Sequence, residues 1–234
     1  MLKKLLALTG VVLACSAFAA TEDDILKIME ERLGTKVESV VKAGYLNLYE
    51  VYADGNIYYT DDKVSAVMVG GQLIDVRSRQ NITEERLRKL TAIRFGDLPL
   101  ERAIKVVRGD GKRALATFED PNCGYCKRLA KEMQKLDNVT IYVFLYPILS
   151  EDSLKKSKQI WCSADRAKTW TDWMVDGKTP SGREDCDTAA VARNQEYGRR
   201  LNISGTPTLF FADGERVPGA IPLARIEQKL NQPR

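Results

Sequence analysis

Ala114 to Phe118 (Ala-Leu-Ala-Thr-Phe) is a short apolar run, long enough for a buried strand. Glu119-Asp120-Pro121-Asn122 is turn chemistry. From Cys126 onward Leu129, Ala130, Met133 and Leu136 recur at helical spacing, with Lys127, Arg128, Lys131 and Lys135 between them. A strand at 114–118, a helix at 123–136 and an apolar strand from Thr140 to Tyr146 make a unit suited to parallel pairing. Leu100 to Val107 reads as helical, as does Leu154 to Met174, which carries Trp161, Trp170 and Trp173. These tryptophans read as core packing, with one a candidate to line a substrate groove. A helix over Thr188–Leu201 follows. Then come an apolar strand over 205–211, a turn at Asp213-Gly214, a short strand at Arg216-Val217 and a last helix over Leu223–Leu230.

The first third of the chain has a different rhythm. Thr21 and Asp24 cap a helix whose apolar face is Ile25, Ile28, Met29 and Leu33, and Gly34 stops it. Strand-like stretches follow at 37–41, 45–52, 56–60, 66–69 and 73–76, separated by turn signals such as Asp54-Gly55 and Gly70-Gly71. About 60 residues is marginal for a free-standing core. Ile57-Tyr58-Tyr59 left as an open edge invites aggregation. Pairing that edge with a second copy answers both problems, so these three residues are expected at a homodimer interface; packing against the rest of the same chain is the other reading. A charged helix at 83–94, with Leu87, Leu90 and Ile93 on one face, reads as a connector. The expected organisation is α+β: an N-terminal domain at 20–80, a linker helix at 81–96 and a second domain at 97–234.

Residues 1–19 read as a secretory leader: Lys3 and Lys4, an apolar core, then Ala17-Phe18-Ala19 as a cleavage signal ending near Ala19/Ala20. Cys15 leaves with that leader, or carries a lipid if Val12-Leu13-Ala14-Cys15 is a lipoprotein box. Charge adds little. The formal net charge is +4, basic and acidic residues are interspersed, and nucleic acid is not indicated as a partner. The chain has no histidine, which excludes Ser-His and Cys-His catalysis and removes the usual ligand of catalytic zinc. No cofactor or metal is expected.

The chemistry therefore rests on cysteine. Cys123-Gly124-Tyr125-Cys126 falls where a strand turns into a helix, and no second Cys pair at zinc-ligand spacing follows. Unpaired N–H groups and the positive end of the helix dipole favour a thiolate there. The thiolate is the attacking species in disulfide exchange. Cys123 is thus the expected nucleophile and Cys126, one turn deeper, the resolving thiol; a merely structural disulfide is the competing reading. Once Cys15 is gone, Cys162 and Cys186 remain, and a structural disulfide is expected between them, or failing that a second redox pair. It closes a loop of about 25 residues, worth roughly 3 kcal/mol on chain entropy. Pro207 heads an apolar strand, which makes Thr206-Pro207 a candidate cis bond, with a trans strand-start proline as the alternative.

Cys-Gly-Tyr-Cys at 123–126, Ile160-Trp161-Cys162, Cys186 and Ser204-Gly205-Thr206-Pro207 together resemble the DsbC/DsbG family of bacterial periplasmic thiol:disulfide interchange proteins, in the thioredoxin superfamily. The resemblance covers nearly the whole chain after the leader. It implies a small N-terminal dimerisation domain, a helical linker and a C-terminal thioredoxin-like domain with a helical insertion, paired as a V-shaped homodimer around an uncharged cleft. It implies a cis Pro207, with Gly124, Tyr125, Thr206 and Pro207 supporting the dithiol. It also implies disulfide isomerase activity on misfolded exported proteins, chaperone-like holding of unfolded chains, and reduction by a membrane thiol reductase of the DsbD type. Thioredoxins carry a buried acid six positions before the first active-site cysteine; here that position is Thr117, so strong reductase behaviour is not expected. A monomeric thiol oxidase and a non-enzymatic holdase dimer are the alternatives.

Overall fold

The computed structural model describes residues 21–232; the leader-like stretch, with Cys15 and the cleavage signal, lies outside the described residues. The chain divides into two compact units between Gly71 and Gln72.

In the first unit, α1 (Glu22–Leu33) starts with a capping box, Thr21 Oγ1 accepting from the Asp24 N–H and Asp24 accepting from the Thr21 N–H. Gly34, at φ +67°, ends it in the left-handed region. Ile25 and Met29 are fully buried and pack with Val37, Val40, Val51 and Ala53. The strands β1 (Val37–Lys42), β2 (Tyr49–Ala53), β3 (Asn56–Thr60) and β4 (Val67–Met68) pair antiparallel in chain order. This arrangement covers part of the expected edge. β3 pairs along its length with β2 and, at Tyr59 and Thr60, with β4, so Ile57 and Tyr59 are buried within one subunit and Tyr58 is half-buried. The cause is the turn at Asp61, whose carboxylate accepts from the Ser65 N–H and hydroxyl and sends the chain back alongside. The outer position belongs to the two-residue β4, beside exposed Met68 and Val69.

The second unit opens with a minimal hairpin, β5 (Ile74–Asp75) and β6 (Gln80–Asn81), in place of the longer strand expected at 73–76. Helix α2 (Ile82–Thr91) follows, capped by Asn81. It belongs to this unit: Arg88 reaches Glu215 at 3.7 Å and the Ile93 N–H donates to the Gly214 carbonyl at 3.0 Å. The helix expected at 100–107 is instead a single 3₁₀ turn at Leu100–Arg102 and then β7 (Ile104–Arg108). Three β-branched residues in five favour a strand, and β9 (Val139–Leu145) offers its free side as the partner.

β7, β8 (Arg113–Glu119), β9, β10 (Thr208–Phe211) and β11 (Arg216–Pro218) form one sheet, in the order β11-β10-β8-β9-β7. β8 and β9 are parallel and joined by α3 (Gly124–Met133); the other pairs are antiparallel. Alternation along the central β8 separates two faces. Leu115 joins Leu129, Ala130, Met133, Val143, Leu145 and Leu209 beneath α3. Ala116 and Phe118 join Phe144, Tyr146 and Phe210 on the other face, where Phe118 stacks on Phe144 at 4.6 Å. The stretch read as one helix over 154–174 is two, α4 (Glu151–Trp161) and α5 (Arg166–Met174), because Asp165 caps the Lys168 N–H and restarts the helix. α6 (Ala189–Arg200) and α7 (Leu223–Leu230) complete the unit.

Candidate active site

β8 ends at Glu119 and α3 begins at Gly124, so four residues carry the chain from sheet to helix. Asp120 fixes that passage. It is fully buried, and its carboxylate accepts from the N–H groups of Asn122, Ile148 and Leu149 and from the Ser153 hydroxyl, at 2.7 to 3.0 Å. Its carbonyl accepts from the Cys123 N–H at 3.0 Å. One carboxylate thereby ties the cysteine loop to the loop after β9. Trp173 adds a second tie, its indole N–H donating to the Pro121 carbonyl at 2.6 Å while Lys127 Nζ sits 3.7 Å from the ring centroid.

Cys123 is the N-cap of α3. Its Sγ occupies the place of a capping oxygen and accepts from the Cys126 N–H at 3.2 Å. The cis Thr206-Pro207 bond faces it, with the Thr206 carbonyl oxygen 3.3 Å from Cys123 Sγ. Pro207 is buried, and its carbonyl accepts from the Gly219 N–H at 2.7 Å. Cys126 is sealed in, at 0 % exposure, while Cys123 keeps 5 %. Gly124 is exposed and Tyr125 stands 61 % exposed, with the Arg128 guanidinium 4.3 Å from its ring centroid.

The electrostatics separate the two thiols. Hydrogen bonding from the Cys126 side chain lowers Cys123 to about 5; burial opposes this, and the Thr206 side chain and the N–H groups of Cys126 and Tyr125 add to it. Cys126 moves far upward because it is buried, because its proton serves Cys123, and because Glu119 and Cys123 hold negative charge nearby. At neutral pH the site holds one thiolate and one thiol, the state that disulfide exchange begins from.

Cys162 and Cys186 are bonded to each other, with Cα atoms 5.7 Å apart. Of the three tryptophans, Trp170 is core, Trp161 donates to the Asp187 carbonyl beside that disulfide, and Trp173 supports the dithiol loop. Two site residues escape a reading by motif. Asp120 reads as turn chemistry, but besides Asn122 of its own loop it holds Ile148 and Leu149 of the loop after β9 and Ser153 of α4. Glu119 and Thr117 lie on the α3 face of β8 and both are fully buried, so the face that lacks an acid at Thr117 carries one at Glu119. Among the described residues no cluster of three His, Cys, Asp or Glu could hold a metal, and no helix is long and apolar enough to cross a membrane.

Comparison with known proteins matches both units. Residues 16–84 match the disulfide bond isomerase protein N-terminal domain and residues 100–233 the thioredoxin-like domain. A probable thiol:disulfide interchange protein DsbC of Bordetella parapertussis is 48 % identical over 197 residues, spanning 84 % of this chain and 69 % of that protein. The thiol:disulfide interchange protein DsbC of Escherichia coli K12 is 28 % identical over 240 residues, 99 % of this chain and 97 % of that one. A crystal structure of a disulfide interchange protein from Neisseria gonorrhoeae superposes with a TM-score of 0.55 at 44 % identity, covering 57 % of this chain and 96 % of that one. A thioredoxin-like domain behind an isomerase N-terminal domain, with these relatives, places the chain in the DsbC family of thiol:disulfide interchange enzymes.

Proposed function

We propose that Cys123 and Cys126 are the interchange centre, with Cys123 as nucleophile and Cys126 as resolving thiol, and that mispaired disulfides of exported proteins are the substrate. The Cys123 thiolate attacks one sulfur of a substrate disulfide. A Cys123–substrate bond forms, the substrate S–S bond breaks, and the second substrate sulfur leaves as a thiolate. That thiolate can attack another disulfide of the same substrate and return Cys123 unchanged, which is isomerisation. Otherwise Cys126 attacks Cys123, the Cys123–Cys126 disulfide forms, and the substrate leaves reduced by two electrons. The observation that carries this reading is the position of Cys123 Sγ at the N-cap of α3, 3.2 Å from the Cys126 N–H, above a fully buried Cys126. Thr206 and Pro207 face the same sulfur and support an extended substrate strand beside it.

Refolding of a scrambled disulfide substrate tests it. Cys123→Ser is expected to lose both routes, and Cys126→Ser to keep some isomerisation while accumulating mixed disulfides on a non-reducing gel. Full isomerase activity in Cys123→Ser overturns the assignment.

The setting follows from the same reading: a periplasmic homodimer, its leader removed near Ala19/Ala20, with the dithiol kept reduced by a membrane thiol reductase of the DsbD type. The short β4, which leaves part of β3 uncovered, and the exposed Met68 and Val69 support a subunit contact at this edge of the sheet, alongside Ile57-Tyr58-Tyr59. Exposed Tyr125, in the first turn of α3, and exposed Ile148 and Leu149, on the loop that Asp120 ties to it, support chaperone-like holding of unfolded chains. Acid-quenched thiol trapping in cells separates this from an oxidase: an isomerase keeps Cys123 and Cys126 reduced beside an oxidised Cys162–Cys186 pair.

A further inference from the structure

The first two turns of α3 carry positive charge where a helix ordinarily carries negative. Helices α1, α2 and α4 open with acids, Glu22-Asp23-Asp24, Glu84-Glu85 and Glu151-Asp152, as the helix dipole favours. α3 opens with none and continues with Lys127, Arg128 and Lys131. The two nearer cations rest on rings of the cysteine loop. The Lys127 ammonium lies 3.7 Å from the centroid of Trp173, whose N–H holds the Pro121 carbonyl, and the Lys127 N–H donates to the Cys123 carbonyl at 3.1 Å. The Arg128 guanidinium lies 4.3 Å from the centroid of Tyr125, between the two cysteines in sequence. A ring face orients a cation but brings no countercharge. None of the three cations has a carboxylate partner among the described residues. Asp120 is occupied by its four donors, Asp152 by Lys156 and Asn122, and Glu132 by Lys135. Burial and the charges of Lys156 and Lys131 hold Lys127 below the usual lysine value, so like charges are crowded here at a cost. Hydrogen bonds at the sulfur already account for the Cys123 thiolate.

We propose that Lys127, Arg128 and Lys131 form a recognition surface for acidic segments of the substrate, and that it directs Cys123 to disulfides whose cysteines are flanked by aspartate or glutamate. A helix rises about 1.5 Å per residue, so Arg128 stands roughly 7–8 Å along the axis from Cys123. An extended substrate spans that distance in about two residues, which puts a carboxylate near the attacked cysteine within reach of the guanidinium. Arg128 and Lys131 are exposed, and Tyr125 holds Arg128 in place beforehand. The exchange step itself is unchanged: the Cys123–substrate bond forms, the substrate S–S bond breaks and the second sulfur leaves as a thiolate. The Cys123 thiolate by itself attracts cationic peptides, so a preference for acidic ones has to come from the surface around it.

The proposal rests on Cys123 being the nucleophile, and one experiment separates the two. The reduced protein is mixed with two disulfide peptides of the same sequence except that aspartate flanks the cysteines in one and lysine in the other. Each rate is divided by the rate of the same peptide with free mercaptoethanol. Cys123→Ser is expected to react with neither; reaction at the parent rate in that variant sinks the nucleophile assignment instead. At about 20 mM salt the parent is expected to favour the aspartate peptide by about tenfold, and the preference should shrink toward none at about 500 mM. Arg128→Gln/Lys131→Gln changes two exposed positions to a good helix former and should lose most of the preference. Lys112→Gln, which removes a cation before β8 and so at the far end of that strand from Cys123, should keep it. A general loss of thiolate or of fold slows both peptides alike and leaves their ratio unchanged. A parent without the preference leaves the surface to some folded partner and overturns the proposal. So does a preference that survives in Arg128→Gln/Lys131→Gln, or one that is lost equally in Lys112→Gln.

Discussion

The protein holds two cysteine pairs, and opposite ends of helices decide what each can do. Cys123 caps the N-terminus of α3, where its sulfur receives an N–H and the dipole favours negative charge. Cys162 caps the C-terminus of α4, where the free carbonyls disfavour a thiolate. The first pair is three residues apart and free; the second is separated by 24 and bonded. Counting cysteines finds both pairs, but only the helix end distinguishes a nucleophile from a staple.

The largest expected effect comes from removing what holds the active pair. Asp120→Ala leaves the N–H groups of Asn122, Ile148 and Leu149 and the Ser153 hydroxyl without their buried acceptor. A loss of about 3–5 kcal/mol is expected in urea unfolding of the reduced protein. The loss should come with slower thiol exchange, because the loop that presents Cys123 is released. Next is the other pair. Cys162→Ala/Cys186→Ala should lose about 3 kcal/mol by loop entropy and keep its interchange rate per folded molecule. A fall in that rate at equal folded fraction breaks the division between chemistry and staple.

pH then distinguishes the thiols directly. Alkylation of Cys123 should follow a midpoint near pH 5, and at pH 4 run about tenfold below its plateau. The Cys162 thiol freed in a Cys186→Ala protein should alkylate more slowly than Cys123 at pH 7. Stability carries the same information with two opposite signs. The lowered Cys123 stabilises the reduced protein above the ordinary thiol range, and that contribution is lost as pH falls through 5. The raised Glu119 does the reverse: its ionisation destabilises the fold progressively as pH rises from the ordinary carboxylate range toward 8. The reduced protein should therefore show a flat pH dependence between 5 and 8, and the oxidised protein, which keeps only the Glu119 contribution, a falling one. Equal slopes in calorimetry of the two forms contradict this.

Much of this was legible in the residues. The strand–turn–helix around Cys123, the first helix between Thr21 and Gly34 and the last helix follow from local periodicity and short-range signals, and the Cys162–Cys186 partnership from the cysteine count. What was not legible depends on distant partners. Ile104 to Arg108 is a strand because β9 has an open side, which no window of local spacing contains. Ile57-Tyr58-Tyr59 reads as a fully open edge, whereas Asp61 returns the chain against Tyr59 and Thr60. Asp120 and Glu119 are adjacent acids in a turn-like stretch, and their opposite fates are set mostly by Ile148, Leu149 and Ser153, some 30 residues away, and by the pleat of β8. The division at Gly71 is likewise invisible in composition, because α2 owes its allegiance to Glu215 and Gly214.

The smallest effect is the finest test of the contrast between the pairs. Each has a tryptophan whose indole N–H holds a nearby carbonyl and whose ring carries a cation. Trp173 holds Pro121 under Lys127, and Trp161 holds Asp187 with the Arg166 guanidinium 3.8 Å from its centroid. Phenylalanine keeps an aromatic face and removes the N–H in both cases. At Trp173 nothing covalent backs up the lost bond, so Trp173→Phe should cost about 1 kcal/mol and slow Cys123 alkylation slightly. At Trp161 the disulfide one residue away already holds Asp187 in place. Trp161→Phe should therefore be close to neutral in the parent protein and reach about 1 kcal/mol only in the Cys162→Ala/Cys186→Ala background. That non-additivity, measured as a double-mutant cycle in urea, is expected for a staple; additive effects at Trp161 would mean that the disulfide does not hold the segment it closes.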